Sequence, residues 1–175
     1  MAEVKSCSQA LSGIARDCTP SMGGVRRVLI ANYSDVSSVE VATDKVSTIT
    51  MADTAKFHEY TFKNGLASMT HTLNVDQTTG ANFVTTDLVL GFNRMETAKR
   101  VEIAALAVND LAVIVEDNNG AYWYLGKDEP VNASAGDGGT GTARTDKNGY
   151  GITLQDNSKS YPYEVDAAII AGLIA

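Results

Sequence analysis

The sequence predicts a mainly β protein, a β-sandwich or part-barrel with one flanking α-helix. Short runs rich in Val, Ile, Thr and Tyr recur between clusters of Asp, Asn, Ser and Gly, the signature of strands bounded by turns. Polar and apolar residues alternate over 68–75 and 82–92, as in strands with one dry and one wet face. The period becomes helical only once, over 94–108. With 175 residues, 44% of them hydrophobic, the chain can bury roughly 70% of the surface it exposes when unfolded, without help from a metal or disulfide. We read it as a single domain over 1–175. Its less regular parts are an N-terminal segment at 1–24, a Gly-rich loop or arm at 131–149 and a C-terminal tail at 166–175.

The first strands are expected at 25–32, 36–41 and 46–51, forming a meander, followed by one at 57–62. In the segment 68–75, Met69, His71, Leu73 and Val75 share one parity, and Ser68, Thr70, Thr72 and Asn74 share the other. Over 82–92, Val84, Leu88, Leu90 and Phe92 stand against Thr85 and Asp87. Two long antiparallel strands joined by a turn at 77–80 fit this pattern. Asn93 followed by Glu96 has capping-box spacing, Glu96 and Arg100 lie one turn apart, and the Ala-rich stretch 104–107 propagates a helix from Arg94 to about Val108. Leu111 to Val115 reads as a wholly buried strand. Asn119-Gly120 then marks a hairpin turn returning through 121–125. Closing strands are expected at 151–154 and 163–165.

The charge balance, 14 basic against 21 acidic side chains for a net −7, excludes a protein that grips nucleic acid by neutralising phosphates. Met1 to Ser6 is polar and leads into no apolar run, so no secretory signal is read. The apolar run 167–175 is far shorter than the ~20 residues of a membrane span. Cys7 and Cys18 are read as reduced thiols. Gly136, Gly138 and Gly141 have G-x-G-x-x-G spacing. They neither follow a strand nor open a helix, as a dinucleotide site requires, and read as loop. His58 and His71 have no companions at metal or triad spacing. Asp137, Asp146 and Asp156 form no calcium loop. Tyr122-Trp123-Tyr124 is a strand that packs, or a stacking platform for a sugar. No acid, base and nucleophile set can be assembled, and the sequence is read as a non-enzyme without cofactor or metal.

An ordered set of motifs carries a resemblance. Asp17-Cys18 and Gly23-Gly24 precede the first strands, and Phe92-Asn93-Arg94-Met95-Glu96-Thr97-Ala98-Lys99-Arg100 starts a lone helix. Tyr122-Trp123-Tyr124-Leu125-Gly126 ends a hairpin before the Gly-rich arm 134–142, and Gly149-Tyr150-Gly151-Ile152-Thr153-Leu154 follows. Over about residues 15–166 this layout resembles structural proteins of tailed phages infecting Bacteroidetes-type hosts, and is similar to the tail tube (major tail) proteins.

The resemblance implies a virion protein made in the bacterial host cytoplasm. Six copies close into a ring, long strands join edge to edge in one inner barrel, and rings stack into a hollow tube for DNA. The implied partners are other copies of the chain and further tail proteins: a tape measure, a tail terminator and, for a contractile tail, a sheath. DNA passes without specific binding, and no membrane is involved. Strands 57–62, 68–76 and 82–92 are the barrel candidates. Ser68, Thr70, Thr72, Asn74, Thr85 and Asp87 are the lumen candidates. Ser134, Gly136, Asp137, Gly139, Thr140, Ile170 and Leu173 are the ring-to-ring contact candidates. A head-to-tail completion ring or a capsid-surface protein shares this composition, and a carbohydrate-binding sandwich is the alternative from another class.

Overall fold

The computed structural model describes residues 9–175. Cys7 and the polar leader Met1 to Ser6 lie outside the described residues. In chain order the elements are β1 (Val25–Asn32), β2 (Val36–Ala42), β3 (Lys45–Met51), β4 (His58–Thr61), β5 (Ala67–Asp76), β6 (Ala81–Asn93), α1 (Thr97–Val108), β7 (Leu111–Asp117), β8 (Tyr122–Leu125), β9 (Asn132–Gly139), β10 (Gly149–Ser158), β11 (Tyr163–Val165) and α2 (Ala167–Leu173). They build a mostly β, sandwich-like fold of two sheets, neither closed into a barrel. One has seven strands in the order β2-β3-β11-β8-β7-β1-β4 and the other four in the order β5-β6-β10-β9.

The core follows from which strands are apolar on both parities. Val28 to Ala31 of β1 and Leu111 to Glu116 of β7 are buried without a break, as strands covered on both sides must be. One parity, with Val28, Ile30, Val113 and Val115, packs toward Leu88 and Leu90 of β6 and Ile152 and Leu154 of β10. The other, with Leu29, Ala112 and Ile114, packs with Phe57, Tyr124 and α2. Within the large sheet, Arg27 bonds Glu116 through Nε, Tyr122 Oη at 3.0 Å and Glu59 at 3.2 Å. The nearly buried Glu116 carboxylate, 5% exposed, thereby keeps the partner its charge requires.

Several expectations are corrected. The first three strands form no meander: β1 pairs with β4 and β7, while β2 pairs with β3. A single 3-10 turn at Tyr33–Asp35 separates β1 from β2, and the Tyr33 N–H is taken by the Asp110 carbonyl at 2.8 Å. The strand at 57–62 stands in the seven-stranded sheet, not beside 68–76. A turn closed by the Leu66 N–H on the Lys63 carbonyl, with Gly65 at φ +85, carries the chain across to the other sheet.

The helix starts at Thr97 rather than Arg94 and has Glu96, not Asn93, at its N-cap. Asn93 still pairs with Gly149, and Asn148 accepts the Arg94 and Met95 N–H groups through its carbonyl and its side chain. Arg94 is held at φ +63, which a helix cannot contain.

The Gly-rich segment 131–149 is a loop only in its second half, because its first half is β9, paired with β10. Pairing wins there despite the glycines because the ladder satisfies the facing backbone groups of both strands. A Cβ at Gly138 would lie 2.8 Å from the Tyr150 ring, so a side chain would crowd that register. The C-terminal tail is also no free extension. Asp166 caps α2 by accepting from the Ala168 N–H at 3.0 Å, and Ile170 and Leu173 are 3% and 6% exposed in the core shared with β1, β3 and β7. These two residues are taken by the chain's own packing, which removes them as ring-to-ring contacts.

Candidate assembly surface

The four-stranded sheet has a largely buried and an open face, and alternation decides which residues go where; Leu73 and Val75 near the β5–β6 turn are exposed on the inner side, and Phe83 and Val89 on the open side. Ladder pairing sets Thr70 opposite Asp87 and Thr72 opposite Thr85, then Asp87 opposite Gln155 and Thr85 opposite Asn157. Gln155 Nε2 donates to Asp87 Oδ1 at 3.0 Å, Asn74 Nδ2 to Thr85 Oγ1 at 3.1 Å, and Thr85 Oγ1 to Asn157 Oδ1 at 3.0 Å. All six lumen candidates, Ser68, Thr70, Thr72, Asn74, Thr85 and Asp87, therefore lie on one face of one sheet. Thr153, Gln155 and Asn157 of β10 share it and were missed in the sequence. Their signal was the alternation running on past Leu154, interrupted to the eye by a buried Asp156. None of the four strands contains a Lys or Arg, while Asp76, Asp87, Asp137 and Asp156 lie on them.

This sheet ends in β5 on one side and β9 on the other. All three internal pairings are antiparallel, so the two end strands run in opposite directions. Neither carries the Lys or Pro that blunts a free edge. On β9 and just beyond it, Ser134, Gly136, Asp137, Gly139 and Thr140 are all exposed. Asp137 faces Lys147 at 3.8 Å. The loop after β9 is tied by Asp146, which accepts the Thr142 and Ala143 N–H groups at 2.8 and 2.7 Å. Those two bonds hold its carboxyl below the usual carboxylate range.

The inner face of the same sheet carries a polar row. His71 Nδ1 lies 2.9 Å from Thr86 Oγ1, and the Tyr161 ring stands edge-on to the imidazole with centroids 5.9 Å apart. Burial pushes the His71 pKa down. Asp156, 2% exposed, accepts from Ser158 Oγ at 2.7 Å, and its Oδ1 has no partner among the described residues. Burial raises its pKa, against the pull of the Ser158 and Gly126 hydrogen bonds and with the help of the Asp128 and Glu129 charges.

The remaining candidates do not converge. His58 is exposed on β4, in the other sheet from His71. Gly136 and Gly138 sit within β9. Trp123 is tied by its Nε1–H to Asp117 Oδ2 at 3.1 Å and Tyr124 is core, so the three rings of 122–124 do not share one open face. Among the described residues no three His, Cys, Asp or Glu side chains gather as metal ligands, and no helix is long and apolar enough to cross a membrane. Compared with known proteins, the chain matches no family model, no curated protein and no solved structure.

Proposed function

We propose that the protein is a virion structural subunit that closes into six-membered rings, and that stacked rings form the tail tube through which phage DNA passes. One observation carries the reading: a four-stranded antiparallel sheet whose strands contain no Lys or Arg, whose open face is mainly polar with Phe83 and Val89 exposed among the polar residues, and whose two unblunted edges run in opposite directions. Because those edges are opposed, β9 of one copy continues the antiparallel ladder into β5 of the next, and closure removes every free edge of this sheet. At about 4.8 Å between strands, six such sheets make a wall about 115 Å round and about 37 Å across before strand tilt widens it. Ser68, Thr70, Thr72, Asn74, Thr85 and Asp87 then face the lumen. A wall of hydroxyl, amide and carboxylate groups, interrupted by Phe83 and Val89, on a chain of net −7 lets a polyanion slide without holding it. Ser134, Gly136, Asp137, Gly139 and Thr140, the ring-to-ring candidates on and just beyond β9, would in this arrangement meet the next copy within the ring.

Negative-stain electron microscopy of the purified chain, with sedimentation over a concentration series, tests this. Hollow rings or tubes of uniform width are expected. A species that stays monomeric at high concentration, and still does when mixed with the other tail proteins, overturns the reading.

A further inference from the structure

Two apolar features have no partner among the described residues. Residues 9–24 contain no helix or strand and every one of them is exposed. Leu11 and Ile14 are 98% and 102% exposed, as open as in a free peptide. The segment is fastened only at its base, where the Asn118 N–H and side chain donate to the Gly24 and Gly23 carbonyls at 3.1 and 2.7 Å and Asn119 Oδ1 accepts the Met22 N–H at 2.8 Å. The second feature is α1. Only Leu106 is buried in it, and its outward face carries Ala98, Val101, Ala105 and Val108, with Val101 and Val108 55% and 82% exposed. Although Lys99, Arg100 and Glu102 lie elsewhere on the helix, this stripe is of the kind a helix buries against a partner.

The two features sit at opposite ends of β7. The arm leaves the body beside Asn118, just after β7 ends at Asp117, and α1 ends at Val108, just before β7 begins at Leu111. Seven strand residues separate those ends by about 20 Å, so copies set end to end bring the arm of one onto α1 of the next. Once Gly13, now at φ +76, straightens on docking, the spacings agree, because three residues of drawn-out chain from Leu11 to Ile14 and seven of helix from Val101 to Val108 both cover about 10 Å. The charges agree too. Arg16 has no ion pair among the described residues. The hollow at the C-terminal end of α1 is lined by Asp35 and Glu102 with no Lys or Arg, and Asp110 follows the helix. The helix carbonyls there add to the attraction for a cation.

We propose that residues 9–20 of one copy lie along the outward face of α1 of a second copy, with Leu11 against Val101, Ile14 against Val108 and Arg16 over the acidic end of the helix. The contact is head-to-tail, so it propagates rather than closing on itself. It does not depend on the ring reading, since it joins copies end to end whether or not their sheets pair.

Cross-linking in trans tests it. In a Cys7→Ser, Cys18→Ser background, a tagged Ser12→Cys chain is mixed with an untagged Ala105→Cys chain and oxidised. A mixed disulfide dimer is expected, at several times the yield obtained when Ser38→Cys on the exposed β2 replaces Ala105→Cys. The Leu11→Asp, Ile14→Asp double variant touches no core side chain, and it should lower the sedimentation coefficient at high concentration. Yield equal to the Ser38→Cys control, or closure only within a chain bearing both cysteines, overturns the proposal. Hollow rings seen without the cross-link overturn this contact alone, whereas the cross-link without rings supports it and counts against the ring reading.

Discussion

The centre of the seven-stranded sheet, β1 and β7, is covered on both faces, and the four-stranded sheet on one. In the first, β1 and β7 are apolar at successive positions and sit between two separate hydrophobic clusters. In the second, β5 alternates Met69, His71 and Leu73 with Ser68, Thr70 and Thr72, and the hydroxyl-bearing side faces out. Stability and surface are thus divided between the sheets. A strand buried on both sides contributes transfer free energy at every residue, whereas a strand with a wet face leaves half its positions free to serve contact or solvation.

Truncation on the two sheets should give the widest contrast. Ile114→Ala, at a residue 0% exposed, should cost about 4 kcal/mol, while Thr72→Ala on the open face should stay within about 0.5 kcal/mol. Urea unfolding of both variants checks this, and equal losses would erase the distinction. The four-stranded sheet has one place where it tolerates as little as the core. A Cβ at Gly149 would overlap the Phe92 carbonyl oxygen, so Gly149→Ala should cost about 3 kcal/mol by forcing β6 and β10 apart where they pair. An unchanged urea midpoint would show that this end of the ladder is slack.

A subtler effect comes from Asp156, the acid on the dry side of the sheet. Burial raises its folded pKa above the ordinary value of 3.8, so the folded chain holds that proton more tightly than the unfolded chain does. The stability this contributes is complete below pH 3.8 and is lost as pH rises through the folded value. Asp156→Asn removes the dependence, so the variant should gain on the wild type steadily as pH is raised from 3.8, read from paired urea midpoints. A difference that is flat with pH would place the carboxyl in contact with water. The smallest effect on stability, within about 0.5 kcal/mol, is expected for Thr70→Lys on the wet side. If that face lines a channel, assembled particles bearing it should retain DNA in a pull-down at ~50 mM salt and release it by ~200 mM. No retention at low salt would argue that the face does not meet DNA.

Much of this was legible in the sequence because it is local. Period-two alternation over 68–76 and 82–92 put six polar residues on one side of two strands, and the ladder from Thr70 to Asp87 and from Thr72 to Thr85 keeps them there. The unbroken apolar run at 111–115 announced a strand buried on both faces, and Asn119-Gly120 announced its turn. What the tertiary structure decided is which strands meet. β1 finds β7, some eighty residues away, because both are apolar on both parities and side by side they share the cover of the two clusters on either side of the sheet. β4 joins the large sheet because Phe57 beside it is buried with α2, although its pattern resembled that of its neighbours in sequence. The glycines of β9 argued for loop, and pairing with β10 overrode them. Arg94 carried no local sign of its φ of +63, since the cause, Asn148, lies far along the chain. Residue types and their periods set the elements and their wet and dry sides, whereas pairing and helix ends depend on distant groups competing for the same hydrogen bonds and the same buried area.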